Sequence, residues 1–128
     1  MTAKAGRRIL VCGGRDYDNA SYMSLILDSA EPGVIIHGAC TGADTLAGEW
    51  AKKRKVPAET YPVEHELDGP WPGAGPRRNL RMLVQSHPDL VIAFPGGKGT
   101  ANMRALARTQ GVEVVDVKVA SIAKRTKA

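Results

Sequence analysis

The segment VIIHGACTGADTLAGEWAKKRKV, residues 34–56, decides the fold class because it contains one complete strand-to-helix unit. Its apolar run stops at His37, and a glycine-rich turn around Gly42 follows. Apolar residues then recur at the spacing of one helical face, as Leu46 and Trp50 illustrate. A short apolar strand that leads through such a turn into an amphipathic helix is typical of an α/β protein with a parallel sheet.

The same unit recurs along the 128 residues on both sides of this segment. Segment 64–75 is the exception, because glycines and prolines crowd it and a regular element there is not expected. The remaining pattern predicts strands at residues 8–14, 34–37, 58–63, 90–94 and 112–117, and helices at 19–30, 43–55, 77–86 and 100–110.

This alternation predicts a single Rossmann-like, doubly wound parallel sheet of about five strands with helices on both faces. Since crossover connections are right-handed, the expected strand order is 3-2-1-4-5. The topological switch point, where the strand order reverses, then lies between strands one and four, and ligands bind beyond the carboxyl ends of the strands at such a point. The domain is expected to span residues 8–117, between basic tails at residues 1–7 and 118–128.

The net charge of +5 comes from the chain ends, because 18 basic residues stand against 13 acidic ones and seven of the basic residues lie near the termini. Without those seven, the body is slightly acidic. No apolar run approaches the roughly 20 residues that span a bilayer, and no signal peptide is recognisable, so we expect a cytoplasmic protein without membrane contact. Cys12, Cys40 and His37 lack the spacing of a zinc site, and no metal or cofactor is predicted.

Three glycine-rich loops, at residues 13–16, 37–44 and 95–100, each follow a strand and open a helix. The topology brings them to one edge of the sheet, where helix N-termini offer unpaired N–H groups to an anion. Arg77, Arg78 and Arg81 could pair with a phosphate there or form a solvated face. Asp44 suits either a plain position in the first helical turn or an acceptor for a ribose hydroxyl. Trp71 could stack on a base or simply bury its loop.

Four stretches, VCGGRDYDN, HGACTGADTLAGEWA, GPRRNLRML and FPGGKGTANM, resemble in combination and order the YspA-type branch of the SLOG superfamily. That superfamily takes its name from the DNA-processing protein Smf/DprA and the LONELY GUY phosphoribohydrolases. The resemblance implies a Rossmann-like fold with a nucleotide-derived ligand. Carried over by motif, the ligand-binding residues are Gly13, Gly14, Arg15, Asp16, His37, Gly38, Gly42, Ala43, Asp44, Arg77, Arg78, Asn79, Pro95, Gly96, Gly97, Lys98, Gly99 and Thr100.

Relatives that cleave cytokinin nucleotides carry a catalytic glutamate after PGGxGT, whereas residues 101–104 here are Ala-Asn-Met-Arg. The first hypothesis is therefore a module that binds an ADP-ribose-like nucleotide without turnover. The second is a nucleotide N-glycosidic hydrolase, whose oxocarbenium-like transition state needs a carboxylate, with Asp16 and Asp44 as catalytic candidates. The third, single-stranded nucleic-acid binding, is disfavoured by the acidic body and the 5% aromatic content. The resemblance also leaves room for a homo-oligomer.

Overall fold

The computed structural model describes residues 6–118, which form five strands and five helices. The predicted tails, residues 1–7 and 118–128, fall almost wholly outside this range. Gly6 and Arg7 lie within it, and both form backbone hydrogen bonds to the turn before the second strand. In chain order the elements are β1 (Arg8–Cys12), α1 (Ala20–Ala30), β2 (Val34–His37), α2 (Ala43–Arg54), β3 (Ala58–Thr60), α3 (His65–Asp68), α4 (Ala74–Ser86), β4 (Leu90–Ala93), α5 (Lys98–Thr109) and β5 (Glu113–Asp116).

The five strands form one all-parallel sheet in the order β3-β2-β1-β4-β5, which confirms the predicted topology. Central strand β1 pairs with β2 on one side and with β4 on the other, so that Ile9 lies opposite Ile35 and Leu90. The order in which strands are added to the sheet reverses between β1 and β4, which is therefore the expected topological switch point. The loops that follow these two strands therefore lie side by side at the carboxyl edge of the sheet.

Each face of the sheet is covered by two helices, because successive strand side chains point in opposite directions. Ile9 and Val11 pack with apolar residues of α1 and α2 on one face. Leu10 and Cys12 pack with α4 and α5 on the other. Helices on both faces explain why β1 and β4 are continuous apolar runs rather than alternating ones. Within residues 6–118, no helix is long and apolar enough to cross a membrane.

Segment 64–75 differs from the sequence prediction, which expected no regular element there. It contains the short helix α3 and the first residues of α4. The Asp68 carboxylate accepts a hydrogen bond of 2.8 Å from the Glu64 N–H and so closes the α3 turn. Pro76 lies in the first turn of α4, where a helix needs no donor from the backbone. Strand β3 ends at Thr60, three residues earlier than predicted.

Candidate functional site

A cleft of about 340 Å³ opens at the carboxyl edge of the sheet, at the topological switch point between β1 and β4. Its walls come from the loop after β1 and from the first turns of α2, α4 and α5. This volume lies within the range of about 300–1,000 Å³ that is usual for small-molecule sites. The cleft brings together ten of the predicted site residues: Gly13, Gly14, Arg15, Asp44, Arg78, Asn79, Gly97, Lys98, Gly99 and Thr100.

The other predicted site residues do not line this cleft. Asp16 is exposed on the loop after β1, and Arg77 lies on the outer side of α4. Gly38 lines an adjoining cleft instead. His37, Gly42 and Ala43 lie behind the cleft wall. Pro95 and Gly96 line a shallow depression next to β5.

The N-terminus of α5 opens directly into the cleft. Its N-cap residue, Gly97, offers no side-chain acceptor, and its first turn holds no acidic residue. The first intrahelical hydrogen bond runs from the Ala101 N–H to the Gly97 carbonyl. Within residues 6–118, the N–H groups of Lys98, Gly99 and Thr100 meet no acceptor. Together with the positive end of the helix dipole, these donors form an anion-binding position.

The glycines of the 95–100 loop fall into two classes. A Cβ on Gly96 would overlap the Thr100 hydroxyl and the Gly14 nitrogen, so packing alone requires glycine there. A Cβ on Gly97 or on Gly99 would meet no atom within 4 Å, and both residues line the cleft. Neither has a positive φ. The room above these two residues is therefore open to a ligand.

The N-terminus of α2 is closed by the protein itself. Gly42 adopts a left-handed φ of 76°, and the Ala43 N–H donates to the Gly14 carbonyl over 3.1 Å. The Asp44 side chain does not cap its own helix. Its Oδ2 accepts hydrogen bonds of 3.1 Å from the N–H groups of Gly38 and Cys40. Burial raises the pKa of Asp44, and the Cys40 N–H bond opposes that rise.

His37 is buried beneath α2 and does not reach the cleft. Its Nδ1 accepts a 3.0 Å hydrogen bond from the Ala39 N–H, which leaves the proton of the neutral ring on Nε2. Nε2 faces Gly48 of α2, where an added Cβ would lie only 3.1 Å away. Burial lowers the pKa of His37, so the ring is neutral near pH 7. His37 therefore stabilises the loop after β2 and does not contact the cleft.

Arg78 is buried at the outer wall of the cleft, with 8% of its surface exposed. Its Nη1 donates to the carbonyls of Gly38 (2.7 Å) and Tyr61 (3.0 Å), and its Nε donates to Asn79. Its Nη2 makes only a long contact of 3.6 Å with Cys40 Sγ. A guanidinium carries five N–H groups, so Nη2 keeps donor capacity toward a ligand.

Arg77 and Arg81, the other two arginines considered for phosphate contact, are engaged elsewhere. Arg81 binds both carboxylate oxygens of Asp68 at 2.9 Å, and Arg77 donates to the carbonyls of Asp68 and Pro70. The Arg81 guanidinium lowers the pKa of Asp68 to about 2. This ionic cluster fixes segment 64–73 against α4 as the outer wall of the site.

The floor of the cleft is apolar and was not predicted. It is formed by Val11, Cys12, Met82 and Met103. Such residues are indistinguishable from ordinary core in a sequence, because they are buried and only their position beneath the cleft sets them apart. Burial raises the pKa of the Cys12 thiol to about 12, so it is a neutral surface rather than a nucleophile.

The segment after Thr100 brings no carboxylate to the cleft. Asn102 accepts a 3.0 Å hydrogen bond from Asn79 Nδ2, which also donates to the Gly99 carbonyl at 3.3 Å. This pair ties α4 to the first turn of α5. Asp44 is therefore the cleft's one acidic side chain among residues 6–118. In the same range, no group of three His, Cys, Asp or Glu side chains could hold a metal ion.

Three comparisons with known proteins bear on this geometry. A family model described as the YspA, cpYpsA-related SLOG family matches residues 7–67. The "Gene 61 protein" of Mycobacterium phage D29 is 32% identical over 120 residues, covering 86% of this chain and 95% of that protein. The crystal structure of Acinetobacter baumannii MurG matches 94% of this chain with a TM-score of 0.54. At 14% identity, and with 39% of the MurG chain covered, that similarity concerns the Rossmann-like fold alone.

Proposed function

Since the chain belongs to the YspA, cpYpsA-related SLOG family, we propose that it binds a nucleotide or an ADP-ribose-like nucleotide derivative in this cleft and does not turn it over. The family and the Rossmann-like fold are compatible with a nucleotide-related ligand. A phosphate occupies the N-terminus of α5, and the apolar floor receives an adjoining ring or ribose. The ligand is held at the carboxyl edge of the sheet.

The observation that carries the proposal is the open room above Gly97 and Gly99 at an uncapped helix start. Gly99 lies in the first turn of α5, where glycine costs stability relative to alanine, and no neighbouring atom requires glycine at position 97 or 99. A phosphate oxygen in contact with the backbone N–H groups would need that room. The same position leaves three donors without acceptors in residues 6–118, and a phosphate would satisfy them.

Two cations flank this position. Arg15 and Lys98 line the cleft with exposed side chains. Neither side chain makes a hydrogen bond or ion pair within the described chain. Free arginine and lysine side chains beside an uncapped helix start favour an anionic ligand, and the guanidinium can contact two phosphate oxygens at once.

The test is ligand-observed proton NMR with AMP, ADP-ribose, cyclic ADP-ribose and NAD, each mixed with the purified protein and followed for hours. We expect broadened ribose anomeric signals without new species. Signals from free base and ribose phosphate would instead identify a hydrolase. Sharp and unchanged signals for every compound would contradict nucleotide binding.

Gly99→Ala tests the position of the phosphate. The added methyl fills the open room, so affinity for the bound nucleotide should fall about tenfold while the fold is retained, with stability raised by up to about 1 kcal/mol. Ala105→Leu is the matched control, because it adds apolar volume to an exposed position of the same helix away from the cleft. Calorimetric titration and thermal unfolding measure the two effects separately.

A nucleotide N-glycosidic hydrolase is the second candidate, favoured by the acidic side chain that lines the cleft. Asp44 is buried and its pKa is raised, whereas Asp16 is exposed and lies away from the cleft. If turnover occurs, Asp44→Asn should abolish it while the folded spectrum is retained. Unchanged turnover in that variant would remove Asp44 from the mechanism. Asp16→Asn serves as the control carboxylate.

Three further expectations remain predictions. A homo-oligomer is tested by light scattering of the purified chain, and a cytoplasmic location by fractionation of cells. Single-stranded nucleic-acid binding is disfavoured by the slightly acidic body of the chain, and is tested by titration with a labelled oligonucleotide at two salt concentrations. A steep salt dependence that disappears when residues 118–128 are deleted would indicate binding through the tail alone.

A further inference from the structure

A second cleft of about 310 Å³ adjoins the first on the side of β3. The two share three residues, Arg15, Cys40 and Arg78, so they form one continuous groove rather than two separate sites. Its own walls come from the loop after β2 and from the segment that follows β3. Together the two clefts are lined by residues well beyond the α5 N-terminus, so they offer room for more than a single phosphate.

Trp71 lines the far end of the second cleft and is 56% exposed. Its indole therefore presents apolar ring surface to the cleft, where a ligand can reach it. The ring is held in place, because the His65 ring meets it edge-on at 5.6 Å and Arg77 binds the preceding Pro70 carbonyl. An exposed, fixed indole provides a flat surface on which a base can stack.

The junction of the two clefts carries positive charge. Arg15 is free of ion pairs within the described chain, and Arg78 Nη2 lies next to Cys40 Sγ with donor capacity to spare. Cations at the middle of a groove, with an apolar floor at one end and an indole at the other, match a ligand whose charge lies between two ring-bearing halves.

We propose that the ligand is a nucleotide of two halves joined by a diphosphate, which spans both clefts and stacks its adenine on Trp71. The diphosphate lies between the first turn of α5 and the Arg15–Arg78 pair, and the second half lies over the apolar floor. This inference rests on the proposed function and deepens it. A two-part ligand, such as NAD or ADP-ribose, occupies both clefts, whereas a mononucleotide occupies the first cleft alone.

The experiment compares NAD, ADP-ribose and AMP on the wild-type chain and on Trp71→Ala. Loss of a stacked base typically lowers affinity about tenfold or more, since stacking contributes about 1–3 kcal/mol per base. We therefore expect Trp71→Ala to weaken NAD and ADP-ribose about tenfold and to leave AMP unchanged. Leu67→Ala is the matched control, because Leu67 is an apolar residue of the same segment, 62% exposed, that lies outside both clefts.

Tryptophan fluorescence gives a second readout. Trp50 is buried and hydrogen-bonded to Asp28, so Trp71 is the tryptophan that a ligand can reach. NAD should quench the wild-type emission, and Trp71→Phe should lose the quenching while keeping most of the affinity. Equal affinity of Trp71→Ala and wild type for NAD, with AMP still bound, would overturn this inference but not the proposed function. Failure of all three compounds to bind the wild-type chain would overturn both.

Discussion

Two helices, α2 and α5, begin at the same edge of the sheet, yet the first turn of α2 is closed by protein contacts and the first turn of α5 is open. The second helical residue of α2 is Asp44, whereas the second helical residue of α5 is Gly99. The start of α2 is packed against the loop after β1, with the Ala43 N–H bound to the Gly14 carbonyl. The start of α5 is open, uncapped and without an acidic residue.

This difference separates glycines that the fold needs from glycines that the fold leaves uncovered. Gly42 has a left-handed φ and no room for a Cβ, so any other residue there would be strained. Gly99 has room for a side chain and an ordinary helical backbone. A glycine motif therefore indicates a binding loop only where the structure leaves its glycines uncovered.

The largest effect is expected where the closed helix start is disturbed. In Gly42→Ala the methyl would overlap the Gly14 carbonyl, and alanine would have to adopt a positive φ. Together, the overlap and the left-handed backbone should cost about 3 kcal/mol of unfolding free energy. The loss of unfolding free energy is measured by chemical denaturation of the variant and the wild-type chain. A stability close to wild type would contradict the description of this start as closed by packing.

The second prediction concerns a substitution that gives the open start of α5 the acidic residue found at the start of α2. Gly99→Asp places a carboxylate at the position that Asp44 has in α2, next to the donors that we assign to a phosphate. Affinity for the bound nucleotide should fall about 100-fold, or about 2.7 kcal/mol, because repulsion adds to the loss of room. Stability should rise by a few tenths of a kcal/mol through the helix dipole. Ala105→Asp, which adds the same charge to an exposed position farther along α5, is the control and should leave the affinity unchanged.

A third prediction concerns the Asp68–Arg81 ion pair, which fixes segment 64–73 against α4. The folded pKa of Asp68 lies near 2, below its ordinary value of 3.8, because Arg81 stabilises the carboxylate. A lowered folded pKa contributes stability that is present above about pH 4 and is lost as the pH falls toward 2, amounting to about 2 kcal/mol. Asp68→Asn should remove this pH dependence from the unfolding free energy. Asp18→Asn, in an exposed turn, should leave it in place.

The smallest effect is expected for the exposed cation at the open start. Lys98→Ala removes one charge that is not paired within the described chain, so the fold should be unaffected. Affinity for the nucleotide should fall about threefold at low salt, and the difference should shrink as salt is added, because exposed charges are screened. A loss that does not depend on salt would indicate that Lys98 contributes to the site by packing rather than by charge.

The fold was predictable because its determinants are local. The buried strands are unbroken aliphatic runs, as in Leu90–Ala93, and the crossover rule then leaves few strand orders. Segment 64–75 was not predictable in the same way. Its helical turn depends on Asp68, whose carboxylate is bound by Arg81, 13 residues further along the chain. Pairing at that distance leaves no periodic pattern in the sequence.

The site was predictable as a set of loops and not as a set of contacts. Ten of the residues chosen by motif line the cleft. The motifs could not distinguish Gly96, which is packed, from Gly99, which is open, because the two occur in the same motif and differ only in their neighbours. Nor could they tell that Arg78 faces the cleft while Arg77 binds its own loop, since one residue of helical rotation decides between the two.

The pairing of β1 with β4 has a consequence for the order of events in folding. Ile9 lies opposite Leu90, and the Arg8 N–H binds the Asp89 carboxylate across 81 residues of chain. Closing so long a loop is entropically costly and slows the search for the native pairing. The loops after β1 and β4 come together only when that pairing is made, so the groove does not exist before the sheet is complete. A nucleotide that fits it should therefore slow unfolding and leave the refolding rate nearly unchanged, as expected for contacts absent from the transition state.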